Sequence, residues 1–336
     1  MKPFYKKLIF ALIVLAALVV WISDKYQQEW SKNEDKKSIV GKVLLEKSLA
    51  ATIDSIEIQS AKEIISIKNP EGNGWFLESD GGFPAQGLKI LRLFEDLGQA
   101  KVIRVVTSLQ KEIDELNLTA ATIVQLSQKG KLIEKWHFGT RREMGGQYIG
   151  NSDLSQVWLI NKNIDISTSI ADWENKTLLD VSDKLIKQVE LRPKSSLKKG
   201  DLTIFREKED AEFLVTQGEI PEEELNKDTI NLVKGTLQNL AYTNRFDSEN
   251  EGAKLAFNST SHAIYTLFDG RRYVLEIGSM DKGGSQRYFI KILEEAEKKD
   301  NDSNINMIMS KWAFEISDYL GQRLVKGRSD FIKGKS

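Results

Sequence analysis

The chain has 336 residues, of which 48 are lysine or arginine, 49 are aspartate or glutamate and none is cysteine. This near balance of charge provides no overall positive field of the kind that recruits nucleic acid. The absence of cysteine excludes disulfides, Cys-ligated zinc, iron–sulfur clusters and thiol catalysis, and the length suits about two domains.

The first predicted element is the uncharged apolar run "LIFALIVLAALVVWI" at residues 8–22, which follows Lys2, Lys6 and Lys7. Its insertion free energy of about −3 to −6 kcal/mol favours a transmembrane anchor. As a helix it would be about 22 Å long, short of the ~30 Å hydrocarbon core, so a cleaved signal peptide is the alternative. The following "VVWISDK" lacks an A-x-A-like cleavage site, which favours the uncleaved anchor.

The predicted organisation is a cytoplasmic tail at 1–7, the anchor at 8–22, a polar tether at 23–52, repeat unit 1 at 53–183 and repeat unit 2 at 184–336. The lysines before the apolar run, without acidic neighbours, favour a cytoplasmic N-terminus, although four lysines also follow the run. The body after the anchor is therefore expected to be exported.

An internal repeat is indicated by elements that recur in the same order. The alternating segments "IDSIEIQS" at 53 and "IKQVELRP" at 186 predict matching strands. The segments "EIISIKNPEGNGWFLES" at 63 and "DLTIFREKEDAEFLVTQ" at 201 predict matching hairpins. Each hairpin is followed by an amphipathic pattern that predicts one main helix per unit.

The two predicted helices lie in "PAQGLKILRLFEDLGQAK" and "DTINLVKGTLQNLAY". Asp228 is the predicted N-cap of the second helix. The predicted apolar face of the first consists of Leu88, Leu91, Phe94 and Leu97. That of the second consists of Ile230, Val233, Leu237 and Leu240.

Further strands are predicted in "ATIVQLSQKGKLIEKWHFG" and "HAIYTLFDGRRYVLEIG", with hairpin turns at "QKGK" and "FDGR". A Gly-Gly loop and a strand that begins near Tyr148 or Tyr288 close each unit. Such short connections indicate antiparallel sheets. The predicted fold class is α+β: a single N-terminal transmembrane helix, then two tandem repeats, each a mostly antiparallel sheet with one main amphipathic helix.

Over roughly residues 50–320 the chain resembles a bacterial envelope family catalogued as domain of unknown function 4340. The resemblance rests on the N-terminal apolar run, the two strand–hairpin–helix copies with their Gly-Gly loops, and "DWENKTLLD" at 172–180. Two segments depart from the family pattern: "LNLTAAT" at 116–122 replaces a glycine- and proline-containing segment, and the acidic insertion at 294–304 is atypical. The resemblance implies a membrane-anchored protein, with genes for ABC-2-type permeases and gliding-motility-like transport proteins commonly nearby.

His137 is the first candidate catalytic residue. Trp136 and Phe138 are predicted to face the core, which places His137 on the outer or edge face, and the matching position in unit 2 is Glu276. Two histidines without cysteine provide no triad or zinc set. A structural role is therefore favoured, and no catalytic, cofactor-binding or metal-binding residue is predicted.

The Gly-Gly loops "GTRREMGGQ" and "GSMDKGGSQR" combine basic side chains with glycines whose backbone N–H groups can bind an anion. The favoured alternative is a tight turn that needs positive φ. Trp173, in "ADWENKT", is expected at the surface. The candidate interaction residues are Arg141, Arg142, Gly145, Gly146, Lys282, Gly283, Gly284 and Trp173.

The function expected from these features is that of a non-catalytic bitopic protein of the bacterial inner membrane, with an extracytoplasmic body. It would be an accessory or assembly subunit of a membrane transport complex, with the membrane and an ABC-2-type permease as partners and neither cofactor nor nucleic acid. The alternative is a binding module for an envelope glycan or lipid that uses the cleft between the two units. A carboxylate hydrolase is the least favoured hypothesis.

Overall fold

The computed structural model describes residues 39–72, 74–194, 200–217, 220–221, 224–295, 306 and 309–334. The chain divides into two compact units, Met1–Glu174 and Asn175–Ser336, whereas the boundary predicted from the sequence lies after residue 183. Residues 39–52, predicted to belong to the tether, contribute Leu44 and Leu45 to the core of unit 1.

Unit 1 is built on one antiparallel sheet. Its strands are β1 (Ser55–Gln59), β2 (Ile64–Lys68), β3 (Phe76–Leu77), β4 (Phe83–Pro84), β5 (Val102–Thr107), β6 (Thr122–Gln128), β7 (Lys131–Arg141), β8 (Gln147–Gly150) and β9 (Val157–Ile160). The helices are α1 (Lys47–Ala50), α2 (Gly87–Gln99) and α3 (Gln110–Glu115). Among the described residues, these nine strands have the order β4-β3-β2-β1-β6-β7-β8-β9-β5.

Both faces of the unit 1 sheet are covered. On one face, alternating residues of β1 such as Ile56 and Ile58 pack with Ile90 and Leu93 of α2 in the main core. On the other face, Ile113 of α3 packs in a second, smaller core. Leu118 and Val157 complete the buried part of this small core, and Val106, Leu116, Tyr148 and Leu154 are partly buried against it.

Unit 2 contains the strands β10 (Thr177–Leu179), β11 (Ile186–Arg192), β12 (Leu202–Phe205), β13 (Leu214–Gln217), β14 (Leu240–Ala241), β15 (Asn244–Asp247), β16 (Ser261–Leu267), β17 (Arg272–Lys282), β18 (Ser285–Glu295) and β19 (Trp312–Ile316). Its helices are α4 (Lys227–Lys234), α5 (Glu251–Ala256) and α6 (Asp318–Leu324). In the part of the chain that the structure describes, eight strands form an antiparallel sheet in the order β13-β12-β11-β16-β17-β18-β19-β15, and β10 pairs with β14.

The strand order of unit 2 reproduces that of unit 1. Strands β11–β13 correspond to β1–β3, β16–β19 to β6–β9, and β15 to β5. The starts of α2 and α4 also correspond, because the N-cap residue of each helix donates its backbone N–H to the carbonyl of a buried aromatic residue. Gln86 bonds to Trp173 at 2.7 Å, and Asn226 bonds to Phe331 at 2.8 Å. This match aligns α2 with α4 residue by residue.

The predicted α+β class is wrong, because antiparallel strand predominates over helix in both units. The described chain is mostly antiparallel strand, and of its α-helices α2 has 13 residues while the next longest, α4, has eight. No helix among the residues placed in the structure has both the length and the apolar character needed to cross a membrane. The predicted anchor at 8–22 and the tail at 1–7 lie outside those residues.

The second predicted helix is shorter than its pattern because the chain turns after Lys234. Gly235–Leu237 form a 3₁₀ turn, and Asn239, with φ of 53°, leads the chain into β14. The predicted N-cap Asp228 is also wrong: the side chain of Asn226 accepts hydrogen bonds from the backbone N–H groups of Asp228 and Thr229. Both are Asx residues at the helix start, so the sequence alone does not separate them.

In each unit, one strand glycine lets the backbone at the end of a helix pass very close to the sheet. A Cβ on Gly139 would lie 2.8 Å from the Leu116 carbonyl oxygen, in the turn that follows α3. A Cβ on Gly278 would lie 2.6 Å from the Ala256 carbonyl oxygen, at the end of α5. A backbone oxygen obstructs both positions, and at Gly139 the Leu118 side chain lies 2.7 Å away as well, so neither contact leaves room for a side chain.

We expect Gly139→Ala and Gly278→Ala each to lower the free energy of unfolding of its own unit by about 1–3 kcal/mol, because the methyl group forces the crossing backbone away. Urea denaturation followed by tryptophan fluorescence measures the loss. Gly87→Ala is the control, because no atom lies within 4 Å of its added Cβ. It should instead stabilise by about 0.4–1 kcal/mol. Equal effects at all three glycines would contradict the steric explanation.

Candidate functional site

The first Gly-Gly loop forms a turn after β7. Gly145 and Gly146 have φ of 88° and 91°, and a Cβ on Gly146 would meet the Ile160 carbonyl oxygen at 2.6 Å. The Arg141 guanidinium donates to the Ile164 carbonyl at 3.0 Å and to Asp165 at 2.9 Å. Arg142 is exposed, and its backbone N–H bonds to the carbonyl of Gly146 at 2.9 Å.

The second Gly-Gly loop is a two-residue hairpin turn between β17 and β18. Lys282 pairs with Ser285, and Gly283 and Gly284 have φ of 64° and 83°. Positive φ at both central residues is the requirement of a type I′ turn. The Asp281 carboxylate already accepts the Gly284 backbone N–H at 3.0 Å. The glycines of both loops therefore serve turn geometry, and the two loops belong to different units.

Trp173, expected at the surface, is only 1% exposed. Its indole N–H donates to the Ser167 carbonyl at 3.0 Å, and the Lys89 ammonium lies 4.8 Å from its ring centre. Its carbonyl accepts the N-cap hydrogen bond of α2. Trp173 therefore closes unit 1, in the position that Phe331 occupies in unit 2.

His137 is 8% exposed, although the outer or edge face was predicted for it. Trp136 and Phe138 are buried as expected, but the small core beneath α3 covers the opposite face of β7 as well. Burial lowers the pKa of His137 below its ordinary value. Within the described ranges, no group of three or more histidine, aspartate or glutamate residues is arranged to hold a metal ion.

Two leucines of α2 that were predicted to face the core are exposed instead. The helix buries Ile90, Leu93 and Leu97, while Leu88 and Leu91 are 68% and 60% exposed. We call this exposed pair the α2 surface. The predicted face was right for Leu97 and Phe94, which pack in the core, but wrong for Leu88 and Leu91. Apolar residues surround more than half of the helix, so periodicity permits two orientations and packing on the sheet selects one.

A pocket of about 640 Å³ lies in unit 2, between α4, β13 and the segment 206–212. We call it the unit 2 pocket. Buried apolar side chains of Phe213, Leu225 and Ile230 line it. Two ion pairs stand at its rim: Lys227 with Glu212 at 2.9 Å and Lys234 with Asp183 at 3.3 Å.

Arg206 holds the polar wall of the unit 2 pocket. Its buried guanidinium donates to the backbone carbonyls of Ile186 at 2.8 Å, Asp183 at 2.6 Å, Lys184 at 2.9 Å and Glu209. Burial lowers the pKa of Arg206, and nearby carboxylates oppose that shift. The side chain is thus fully engaged in holding the wall of the pocket.

A family model described as "Domain of unknown function (DUF4340)" matches residues 75–256, more than half of the chain. The chain belongs to the DUF4340 family. The resemblance inferred from the sequence is therefore confirmed. Comparisons with curated proteins and with solved structures gave no match.

The family match includes both the α2 surface and all of the residues given above as lining the unit 2 pocket. Neither feature was predicted from the sequence, although the aligned residues of the two units differ at both. Where unit 1 has Leu88 and Leu91, unit 2 has Asp228 and Asn231. Where α2 has Phe94, α4 has Lys234.

We expect Arg206→Met to lower the free energy of unfolding of unit 2 by about 2–4 kcal/mol, because it leaves buried backbone carbonyls without their donor. Urea denaturation measures the change. Arg192→Met is the matched control, since Arg192 makes a surface pair with Glu190 at 2.7 Å; its loss should stay below about 1 kcal/mol. A comparable effect of both changes would contradict the structural role of Arg206.

The lowered pKa of His137 makes the stability of unit 1 depend on pH. The unfolded chain, with a histidine pKa near 6.5, binds the proton more readily than the folded chain does. The free energy of unfolding of unit 1 therefore keeps its full value above the histidine pKa of the unfolded chain. It falls as the pH drops below that pKa. His137→Gln should flatten the stability profile between about pH 7 and pH 5. Urea titrations across this range measure the slope, and a slope equal to that of the unchanged protein would refute the assignment.

Proposed function

We propose that this DUF4340 protein is a non-catalytic contact protein of the bacterial envelope, acting as an accessory or assembly subunit of a membrane transport complex. The proposed partner is an ABC-2-type permease, and the proposed place of action is the extracytoplasmic side of the inner membrane. The exposed leucine pair of the α2 surface is the observation that carries the proposal.

The α2 surface has the features of a docking site. Leu88 and Leu91 lie three residues apart and therefore project from the same side of α2, in the i and i+3 spacing of helix anchors. Burying a leucine side chain in an interface contributes roughly 1.5–3 kcal/mol. Two adjacent anchors therefore provide enough free energy to decide whether a partner stays bound.

The comparison between the units indicates that the scaffold does not require these leucines. At the aligned positions of α4 stand Asp228 and Asn231, both exposed, while the buried positions keep their apolar character, as in Ile90 and Ile230. Core packing thus explains the buried pair but not the exposed leucines. A partner that covers the α2 surface accounts for them. The choice of partner class rests on the expectation, implied by the family resemblance, that genes for such permeases lie nearby.

We expect the double change Leu88→Asp with Leu91→Asn, which installs the unit 2 residues, to lower recovery of the permease at least about tenfold. The measurement is crosslinking of the full-length tagged protein in its native membrane, followed by purification and identification of what accompanies it. The fold should survive, because unit 2 carries the same residues at the same helix positions.

Leu255→Asp is the matched control, since Leu255 is 62% exposed on α5 and lies outside the α2 surface. Its recovery of the permease should equal that of the unchanged protein. If the double variant still recovers the permease at the normal level, the α2 surface is not the contact. If the unchanged protein recovers no transport subunit with any of several crosslinkers, the proposed function itself is refuted.

A further inference from the structure

The two units differ in how they fill the space between the main helix and the third strand. In unit 1, the rings of Trp75 and Phe94 meet edge to face with centroids 5.9 Å apart. The strand registers align Trp75 with Phe213, because Ile67 pairs with Leu77 as Ile204 pairs with Val215. The helix alignment matches Phe94 with Lys234. An aromatic contact of unit 1 therefore has no equivalent in unit 2.

The residues at these positions in unit 2 make other contacts. The Phe213 ring lies 4.7 Å from the Arg206 guanidinium, and the Lys234 ammonium pairs with Asp183 at 3.3 Å. Both side chains are thus held at the walls, and the unit 2 pocket remains between them. Its volume of about 640 Å³ falls within the range of small-ligand sites, roughly 300–1,000 Å³.

The charges at the rim do not favour a charged ligand. Lys227 and Lys234 are paired with Glu212 and Asp183, and Arg206 is satisfied by backbone carbonyls. The remaining charged lining residues, Lys184, Glu209 and Asp210, are exposed, where water and salt screen them. A ligand ion would gain little from such exposed and screened charges, and on the floor beneath them it would lose its hydration without a new partner.

The floor of the pocket is apolar and favours a hydrocarbon ligand, whereas most of the charged lining residues stand at its rim. Phe213, Leu225 and Ile230 are buried beneath the pocket, and Leu214, which also lines it, is 59% exposed. Each methylene that leaves water for such a surface contributes about 0.8 kcal/mol. We propose that the unit 2 pocket binds an uncharged alkyl chain, such as that of a neutral lipid or a long-chain alcohol. This site lies in a different unit from the α2 surface and does not depend on the proposed contact function.

The test uses the full chain and the uncharged fluorescent probe N-phenyl-1-naphthylamine. We expect the probe to bind and to be displaced by decanol, with decanoate and decylamine at least about tenfold weaker as competitors. Absence of probe binding would overturn the proposal. If decanoate or decylamine displaces the probe as effectively as decanol does, the assignment to an uncharged ligand is overturned. Displacement by a leucine-rich peptide alone would overturn it as well.

A variant that fills the unit 2 pocket tests whether the probe binds there. Phe213→Trp combined with Lys234→Phe installs the aromatic pair of unit 1 and should remove probe binding while the circular dichroism spectrum is unchanged. Should that variant not fold, Leu214→Glu at the exposed wall replaces it and should weaken binding at least about fivefold. Leu132→Glu, at a 45% exposed position of β7, is the control and should bind normally. Unchanged binding in the folded pocket variant would overturn the site.

Discussion

Each unit depends on covering both faces of a long antiparallel sheet. The middle strands bury alternate residues beneath the main helix, as Ile58 and Val124 do in unit 1. A second helix covers the opposite face, which is possible because Gly139 and Gly278 allow a backbone carbonyl to approach the strand closely. Burial of apolar area is the main favourable term in folding. The two glycines therefore determine how closely the second layer can pack on the sheet.

The duplicated scaffold shows which positions of the two units are constrained by packing. Ile90 and Ile230 occupy equivalent places beneath their sheets, and both are buried because packing constrains volume and polarity there. Exposed helix positions escape that constraint, and there the units diverge, with Leu88 in one and Asp228 in the other. The α2 surface arises from such divergence, whereas the unit 2 pocket arises at a partly buried position, which is Phe94 in α2 and Lys234 in α4. One architecture thus provides an exposed apolar surface in one unit and a cavity in the other.

Local patterns predicted many strands and turns. The alternation in "IDSIEIQS" indicated the strand that the structure shows as β1, and "QKGK" predicted the turn in which Lys129 and Gly130 have positive φ. Amphipathic periodicity was less informative, because α2 has apolar residues on more than one side. It overestimated the length of the second helix as well, since the turn at Asn239 is not visible in hydrophobic spacing. Nothing in the composition indicated a pocket.

The sequence by itself determined the strand segments, the positive-φ turns and the exclusion of thiol chemistry, because these depend on neighbouring residues or on composition. The tertiary structure alone decided that Trp173 and His137 are buried, that Leu88 and Leu91 are exposed, and that space remains beside Phe213. Burial depends on what packs across from a residue. In unit 2 that partner is often distant in the chain, as when Asn226 bonds to Phe331. No local period encodes such a pairing, so the surface and the pocket emerge only when the sheets are assembled.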